Sequence, residues 1–274
     1  MGEVVANGVR LWFDIVGDRD GDPIMFIGGT GMPAYGWEVF GLAPFVDAGY
    51  RVVTFDSRGV ARSDGPPGPY SVAAMAKDTA GLIEQLDLAP CRVAGLSLGG
   101  FVAEELCCTR PELIRAAVLW GSAGRTTAYF RRQSEADLEV ARAGGLSPAY
   151  ALAEELLISL PFEILQNDNT TVDAVAELLA DPLLWSGDGR AGQLAADFSF
   201  TLDDSRPARW PTIACPCLVV THELDLMFPP RCGREAAAAM PRGEFVEIAG
   251  VAHGQIVEAA TRVQSAMLEF FART

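Results

Sequence analysis

Lysine is almost missing from this chain. Lys77 is the only one among 21 basic residues, and these face 36 Asp and Glu, for a formal charge of −15. Nucleic-acid binding relies on cations that neutralise phosphates, so that class of partner is excluded. Histidine is nearly as scarce. Only His222 and His253 are present, so chemistry that needs an imidazole must use one of these two. There is no C-x-x-C pair among Cys91, Cys107, Cys108, Cys215, Cys217 and Cys232. The expectation is six reduced, buried thiols and no bound metal. No apolar run reaches the length of a membrane span. The opening "MGEVVANGVRLWFDIVG" lacks a basic start followed by an apolar block, and Ala6 stands where a myristoylation motif requires Ser or Thr. These absences predict a cytoplasmic protein with no membrane partner. No internal repeat, low-complexity tract or linker interrupts the 274 residues.

What is present is a rhythm. "EVVANGVRLWFDIVG" reads as two strands turning at Asn7-Gly8. "PIMFIGG", "RVVTFD", "RVAGL", "AAVLWG", "CLVVTH" and "EFVEIAG" follow as short apolar strands. Amphipathic segments lie between them, notably "SVAAMAKDTAGLIEQLDL", "LGGFVAEELCCTRP", "RCGREAAAAM" and "TRVQSAMLEFFART". Buried strands alternating with helices predict an α/β fold, with a mostly parallel eight-stranded sheet and helices on both faces. From about Arg125 to Asp204 the rhythm stops. This stretch reads as helical, with "SPAYALAEELLISL" and "TVDAVAELLADPLLW" as examples, and carries fourteen Asp and Glu. The expectation is a core of residues 1–124 and 205–274, with a helical lid of residues 125–204 inserted after the sixth strand. An insertion there would sit over the C-terminal strand ends, where α/β sheets bind ligands. Phe130 and Trp185 are candidates to line a pocket, although aromatic residues more often simply join packed layers.

One motif carries chemistry. In "CRVAGLSLGGFVAEEL", Ser97 lies between Gly95 and Gly99, after a strand and before a helix. A G-x-S-x-G turn of this kind is a nucleophile elbow, in which a strained serine is lifted clear of the sheet. The bland alternative is an ordinary serine in a Gly-rich loop. The motif alone is short enough to arise by chance, and its strand–helix context is what gives it weight. A serine nucleophile needs a base, and the base needs an orienting acid. His253 lies in the loop "GVAHGQ" and is favoured over His222, which follows "LVVT" closely enough to belong to the strand. Glu223 and Asp225 are both candidates for the acid, since residues two apart in an extended segment face the same way.

At these residues the sequence resembles the α/β-hydrolase superfamily. "FDSRGVARSDG" resembles its D-x-R-G-x-G-x-S loop, with Ala61 in place of a glycine. "GLSLGG" matches the elbow and "GVAH" the histidine loop. "CPCLVVTHELDLMFP" resembles P-x-L-x-x-x-G-x-x-D-x-x-x-P, with His222 where a glycine is usual. The pattern is most similar to enol-lactonases and cofactor-free haloperoxidase-type esterases. The resemblance implies Asp225 as the acid and Thr30 and Leu98 as backbone oxyanion donors. It also implies a cofactor-free serine hydrolase acting on an ester or lactone of a small molecule. In the loop after the third strand, Gly28-Gly29-Thr30-Gly31 replaces the usual His-Gly-x. The same triad elsewhere serves C–C cleavage, peptide hydrolysis or acyl transfer, and a binding protein can share the fold.

Overall fold

A computed structural model of the chain describes residues 1–179 and 185–274. Its strands are β1 (Gly2–Ala6), β2 (Val9–Val16), β3 (Asp22–Ile27), β4 (Tyr50–Phe55), β5 (Cys91–Leu96), β6 (Ile114–Trp120), β7 (Cys217–His222) and β8 (Gly243–Ile248). They form one sheet in the order β1-β2-β4-β3-β5-β6-β7-β8. Only β2 runs against its neighbours, and every pairing from β4 to β8 is parallel. The β1–β2 hairpin turns where the sequence predicts it. Asn7 and Gly8 sit at φ 49° and 78°, the two positive values that a tight two-residue hairpin turn requires.

The central strands are apolar on successive residues because both sheet faces are covered. Ile24 and Phe26 of β3 pack on one face, and Met25 and Ile27 on the other. The first face is covered by α1 (Trp37–Phe40) and α2 (Ala43–Asp47) together with the C-terminal helix. The opposite face is covered by α3 (Val72–Gln85) and α4 (Leu98–Thr109), with a later helix against β7. Ser71 starts α3 by accepting a hydrogen bond at Oγ from Ala74 N–H at 3.1 Å, satisfying a donor that the first turn leaves open.

After β6 the chain leaves the sheet for five helices among the described residues. These are α5 (Ala128–Arg142), α6 (Pro148–Ser159), α7 (Phe162–Asn167), α8 (Asn169–Leu179) and α9 (Gly189–Thr201). The chain re-enters the sheet at β7, then forms α10 (Pro230–Ala239) and, after β8, α11 (Ile256–Phe271). The helical expectation for "TVDAVAELLADPLLW" holds through Leu179, and residues 180–184 lie outside the described residues. Trp185 is half-buried and forms a single β-bridge to Val60. Phe130 and Phe200 are buried against Phe101 of α4, with ring centroids 6.3 and 4.6 Å away. By contrast Tyr150 and Phe162 are exposed. Among the described residues no helix is long and apolar enough to cross a membrane.

The return from the inserted helices is tied to α4 by a buried ion pair. Arg206 Nη2 meets Glu104 Oε2 at 2.8 Å, and its guanidinium lies 4.1 Å from the Phe200 ring centroid. Removing one partner of such a pair strands the other charge in the interior. Glu104→Ala should therefore lower unfolding free energy by about 3–5 kcal/mol. Arg132→Ala, which breaks the exposed Arg132–Glu135 pair, should leave it nearly unchanged. Urea unfolding of the two variants beside the parent chain measures both. Equal midpoints would mean that the Arg206–Glu104 pair does not hold this segment.

Candidate active site

Parallel strands end at one edge of the sheet, and the motif residues gather at that edge. Ser97 follows β5 at φ 52° and ψ −120°, a region non-glycine residues avoid unless their surroundings enforce it. Ser97 N–H donates to the Trp120 carbonyl of β6 at 2.9 Å. The glycines either side are steric requirements. A Cβ on Gly95 would collide with the Gly99 carbonyl, and one on Gly99 with the Ile27 carbonyl of β3. Ala61, which stands where the family motif has a glycine, also takes positive φ, at 44°.

His253, in the loop between β8 and α11, places Nε2 3.2 Å from Ser97 Oγ. Its Nδ1 lies 2.7 Å from Asp225 Oδ2. The other carboxylate oxygen of Asp225 accepts from the N–H groups of Met227 and Phe228 at 2.9 and 2.8 Å. A carboxylate already gripped by two donors accepts from His253, so Nδ1 carries the proton and Nε2 turns a lone pair toward the serine. Burial opposes charge on both groups, but their mutual attraction wins. His253 is held above the usual histidine value and Asp225 below the usual carboxylate range. Glu223 is turned elsewhere, accepting from Gly250 N–H at 2.8 Å. The structure thus brings Asp225, not Glu223, to the histidine.

Thr30 and Leu98 flank Ser97. A Cβ on Gly29 would stand 3.3 Å from Ser97 Cβ, so the loop after β3 lies against the serine. Among the described residues neither Thr30 N–H nor Leu98 N–H has a hydrogen-bond acceptor. The inserted helices reach the same place. Ser159 of α6 packs where Gly254 would otherwise carry a side chain. Phe130 packs against Phe228 with tilted rings, centroids 4.6 Å apart, and Phe228 packs against His253 at 5.4 Å. Two carboxyls invisible to motif reading also act on His253. These are Glu155 of α6 and Asp197 of α9, whose negative potential favours its protonated form and helps raise its value. Asp197 accepts from Thr30 Oγ1–H at 2.8 Å, and burial pushes its own value up to about 7.

His222 ends β7 inside the core, as its place after "LVVT" suggested. Trp120 Nε1–H can only donate, and it donates to His222 Nε2 at 2.8 Å. The ring proton is therefore on Nδ1, which donates to the Ala252 carbonyl at 2.6 Å. His222 thus braces the residue before His253. All six cysteines are free. Cys107, Cys215 and Cys217 gather their sulfurs within 4.8 Å of one another, at the start of β7 and away from the site at its other end.

Burial lowers the His222 value from 6.5 to about 4. A depressed histidine contributes stability that is present above 6.5 and is lost as pH falls toward 4, because the unfolded chain takes the proton first. The full window corresponds to about 3 kcal/mol. Urea unfolding between pH 7 and 4.5 should show the parent chain losing stability, and His222→Gln should be less stable at pH 7 but lose less on acidification. Parallel pH slopes for the two proteins would remove His222 as the titrating group.

Comparison with known proteins finds relatives over most of the chain. A match to the alpha/beta hydrolase family spans residues 24–265. The chain is 35% identical over 253 residues to a Mycobacterium tuberculosis H37Rv protein provisionally named non-heme bromoperoxidase BpoC, covering 92% of this chain and 94% of that one. The crystal structure of that protein superposes with a TM-score of 0.85 over 96% of both chains. A Variovorax paradoxus S110 protein provisionally named carbamate hydrolase RutD is 28% identical over 267 residues, 96% of each chain. The enol-lactonase of Burkholderia xenovorans LB400 shares the fold, with a TM-score of 0.81 at 24% identity over 99% of this chain and 100% of that one. The haloperoxidase-type similarity expected from the motifs is found over nearly the whole length, and with the enol-lactonase the fold is shared. From its eight-stranded sheet, its elbow and these relatives, the chain belongs to the alpha/beta hydrolase family.

Proposed function

We propose that the chain is a serine hydrolase cleaving an ester or lactone of a small to medium apolar molecule through an acyl-enzyme on Ser97. The observation that carries this reading is the hydrogen-bonded run Asp225–His253–Ser97, with spacings of 2.7 and 3.2 Å. Ser97 Oγ attacks the substrate carbonyl carbon while His253 Nε2 takes the hydroxyl proton. Asp225 keeps the imidazole in the required tautomer and stabilises the imidazolium. The tetrahedral oxyanion accepts from Thr30 and Leu98 N–H, where fixed dipoles near a helix start act without reorganising. Collapse breaks the acyl C–O bond, and His253 returns its proton to the leaving alkoxide oxygen. Water then attacks the acyl-serine with His253 again as base, releasing the acid and regenerating Ser97. The steps require no metal or cofactor.

In this reading α5 to α9 act as a lid over the reacting carbonyl. Phe130, against Phe228 beside His253, is taken as one apolar wall of the pocket, and Trp185, whose backbone bridges Val60, as a second candidate wall. Differences of a methylene in such pockets are worth about 1–3 kcal/mol in selectivity, so the lid rather than the triad would set substrate size.

Ser97→Ala should keep the fold and lose several orders of magnitude in kcat, since triad members act as a unit. A short-chain aryl ester assay, with fluorophosphonate labelling of the parent chain at Ser97, tests this. Near-parental turnover by the alanine variant would remove Ser97 from the chemistry. Asp225→Asn should cost at least about 10²-fold in kcat and Glu223→Gln less than about tenfold. The reverse ranking would move the acid to Glu223.

The base works only when neutral, and its carboxylate neighbours hold His253 above 6.5. A raised base value moves the acid limb to higher pH. The kcat/KM profile should therefore rise through an inflection above 6.5, and Asp197→Asn should shift that inflection downward. An inflection at or below 6.5 in the parent chain would contradict the assignment.

A further inference from the structure

The loop that brings Thr30 to Ser97 has little of its own to hold it. It carries three glycines in four residues, and Gly31 takes φ 71°. Its one local backbone bond runs from Met32 N–H to the Gly29 carbonyl at 3.1 Å. The imidazole that the family usually carries at the head of this loop is replaced by Gly28. Yet oxyanion donors work only when pre-positioned to within a few tenths of an ångström.

The missing restraint comes from α9, the last helix of the insertion. Gln193 Oε1 accepts from Gly31 N–H at 2.9 Å, and Asp197 Oδ2 accepts from Thr30 Oγ1–H at 2.8 Å. Residues four apart share a helix face, so one face of α9 grips two successive loop residues. Gln193 is fully buried, and its Nε2–H donates to the Arg58 carbonyl at 3.0 Å. That second bond anchors the grip to the loop after β4. With Gly31 N–H occupied by Gln193, Thr30 N–H is left without an acceptor among the described residues. The amide that remains open is the one a developing oxyanion needs.

We propose that Gln193 and Asp197 are positioning residues for the oxyanion loop, so that α9 couples the seating of the inserted helices to catalytic competence. The inference rests on the serine-hydrolase reading. Neither residue touches the reacting atoms. Their effect is on where Thr30 N–H stands, and a displaced donor weakens the transition state more than the ground state.

The test uses the full chain, a short-chain aryl ester and a trifluoromethyl ketone, which Ser97 would convert to a tetrahedral oxyanion adduct. Gln193→Leu should lower kcat by about 10–100-fold, less than or comparable to the loss of one oxyanion donor, with KM changed by less than about threefold. Affinity for the ketone should fall in parallel with kcat/KM. Leucine in a fully buried polar position strands two backbone groups, so Gln193→Leu risks misfolding. Thr30→Val, Asp197→Leu and their combination then decide from the other contact. Each should lower kcat, and the double variant should be no slower than the worse single one, because both remove the same bond. Asp197→Asn, which keeps an oxygen to accept from Thr30 but loses the charge, should lose less than Asp197→Leu. Folded variants that change only KM, or change nothing, overturn the positioning role while leaving the hydrolase reading intact. A parent chain that neither turns over activated esters nor labels at Ser97 overturns both.

Discussion

The backbone of Ser97 is the constraint on which the site depends. A serine at φ 52° and ψ −120° costs about 1–3 kcal/mol and persists only where its neighbours leave no alternative. Here they leave none. Its N–H is bound to β6, and Gly95 and Gly99 allow α4 to start directly on the strand ends. The close approach of Gly99 to Ile27 also brings the loop after β3 beside the serine. Because β5 lies between β3 and β6 in the sheet, the strand that ends at Ser97 has one parallel neighbour on each side. The β3 neighbour carries the Thr30 loop. The β6 neighbour is followed by Gly121, against which His253 packs at 3.3 Å from a would-be Cβ.

The two histidines show how environment separates identical side chains. Both are largely withdrawn from water, which favours the neutral ring. His222 meets a carbonyl and an indole N–H, neither of which rewards a proton strongly, and its value falls to about 4. His253 meets the Asp225 carboxylate directly and feels Glu155 and Asp197 from the inserted helices, so its value rises. One ring is a fixed strut and the other is poised to accept a proton. The strut supports the other ring: His222 holds Ala252, Gln255 Oε1 accepts from Ala252 N–H at 2.8 Å, and His253 follows in the chain.

The inserted helices also reach the site. Among their fourteen Asp and Glu, Asp197 is buried, and with the neutral, buried Gln193 it turns toward the loop beside Ser97. Asp137 of α5 adds to the same electrostatic environment, with burial raising its value to about 6.

Local patterning determined much of this protein. Eight apolar runs became eight strands, Asn7-Gly8 became a hairpin turn, and the strand–G-x-S-x-G–helix arrangement became an elbow, because each depends on residues adjacent in the chain. Its loop position singled out His253, and the family resemblance added Asp225. The residues alone left Asp225 and Glu223 equivalent, since both stand in one short loop. Tertiary contacts separated them: the N–H groups of Met227 and Phe228 hold the Asp225 carboxylate inward, while Gly250 draws Glu223 away. The same limit applies to Phe130, buried beside Phe228, and to Tyr150 and Phe162, exposed on the insertion. Gln193 and Asp197 carried no signal beyond a spacing of four. Their partners in the loop after β3 lie more than 160 residues earlier in the chain, and contacts across such distances arise only when a helix is laid against a sheet edge. Periodicity along the chain encodes the elements, and packing between elements decides which of their polar groups meet.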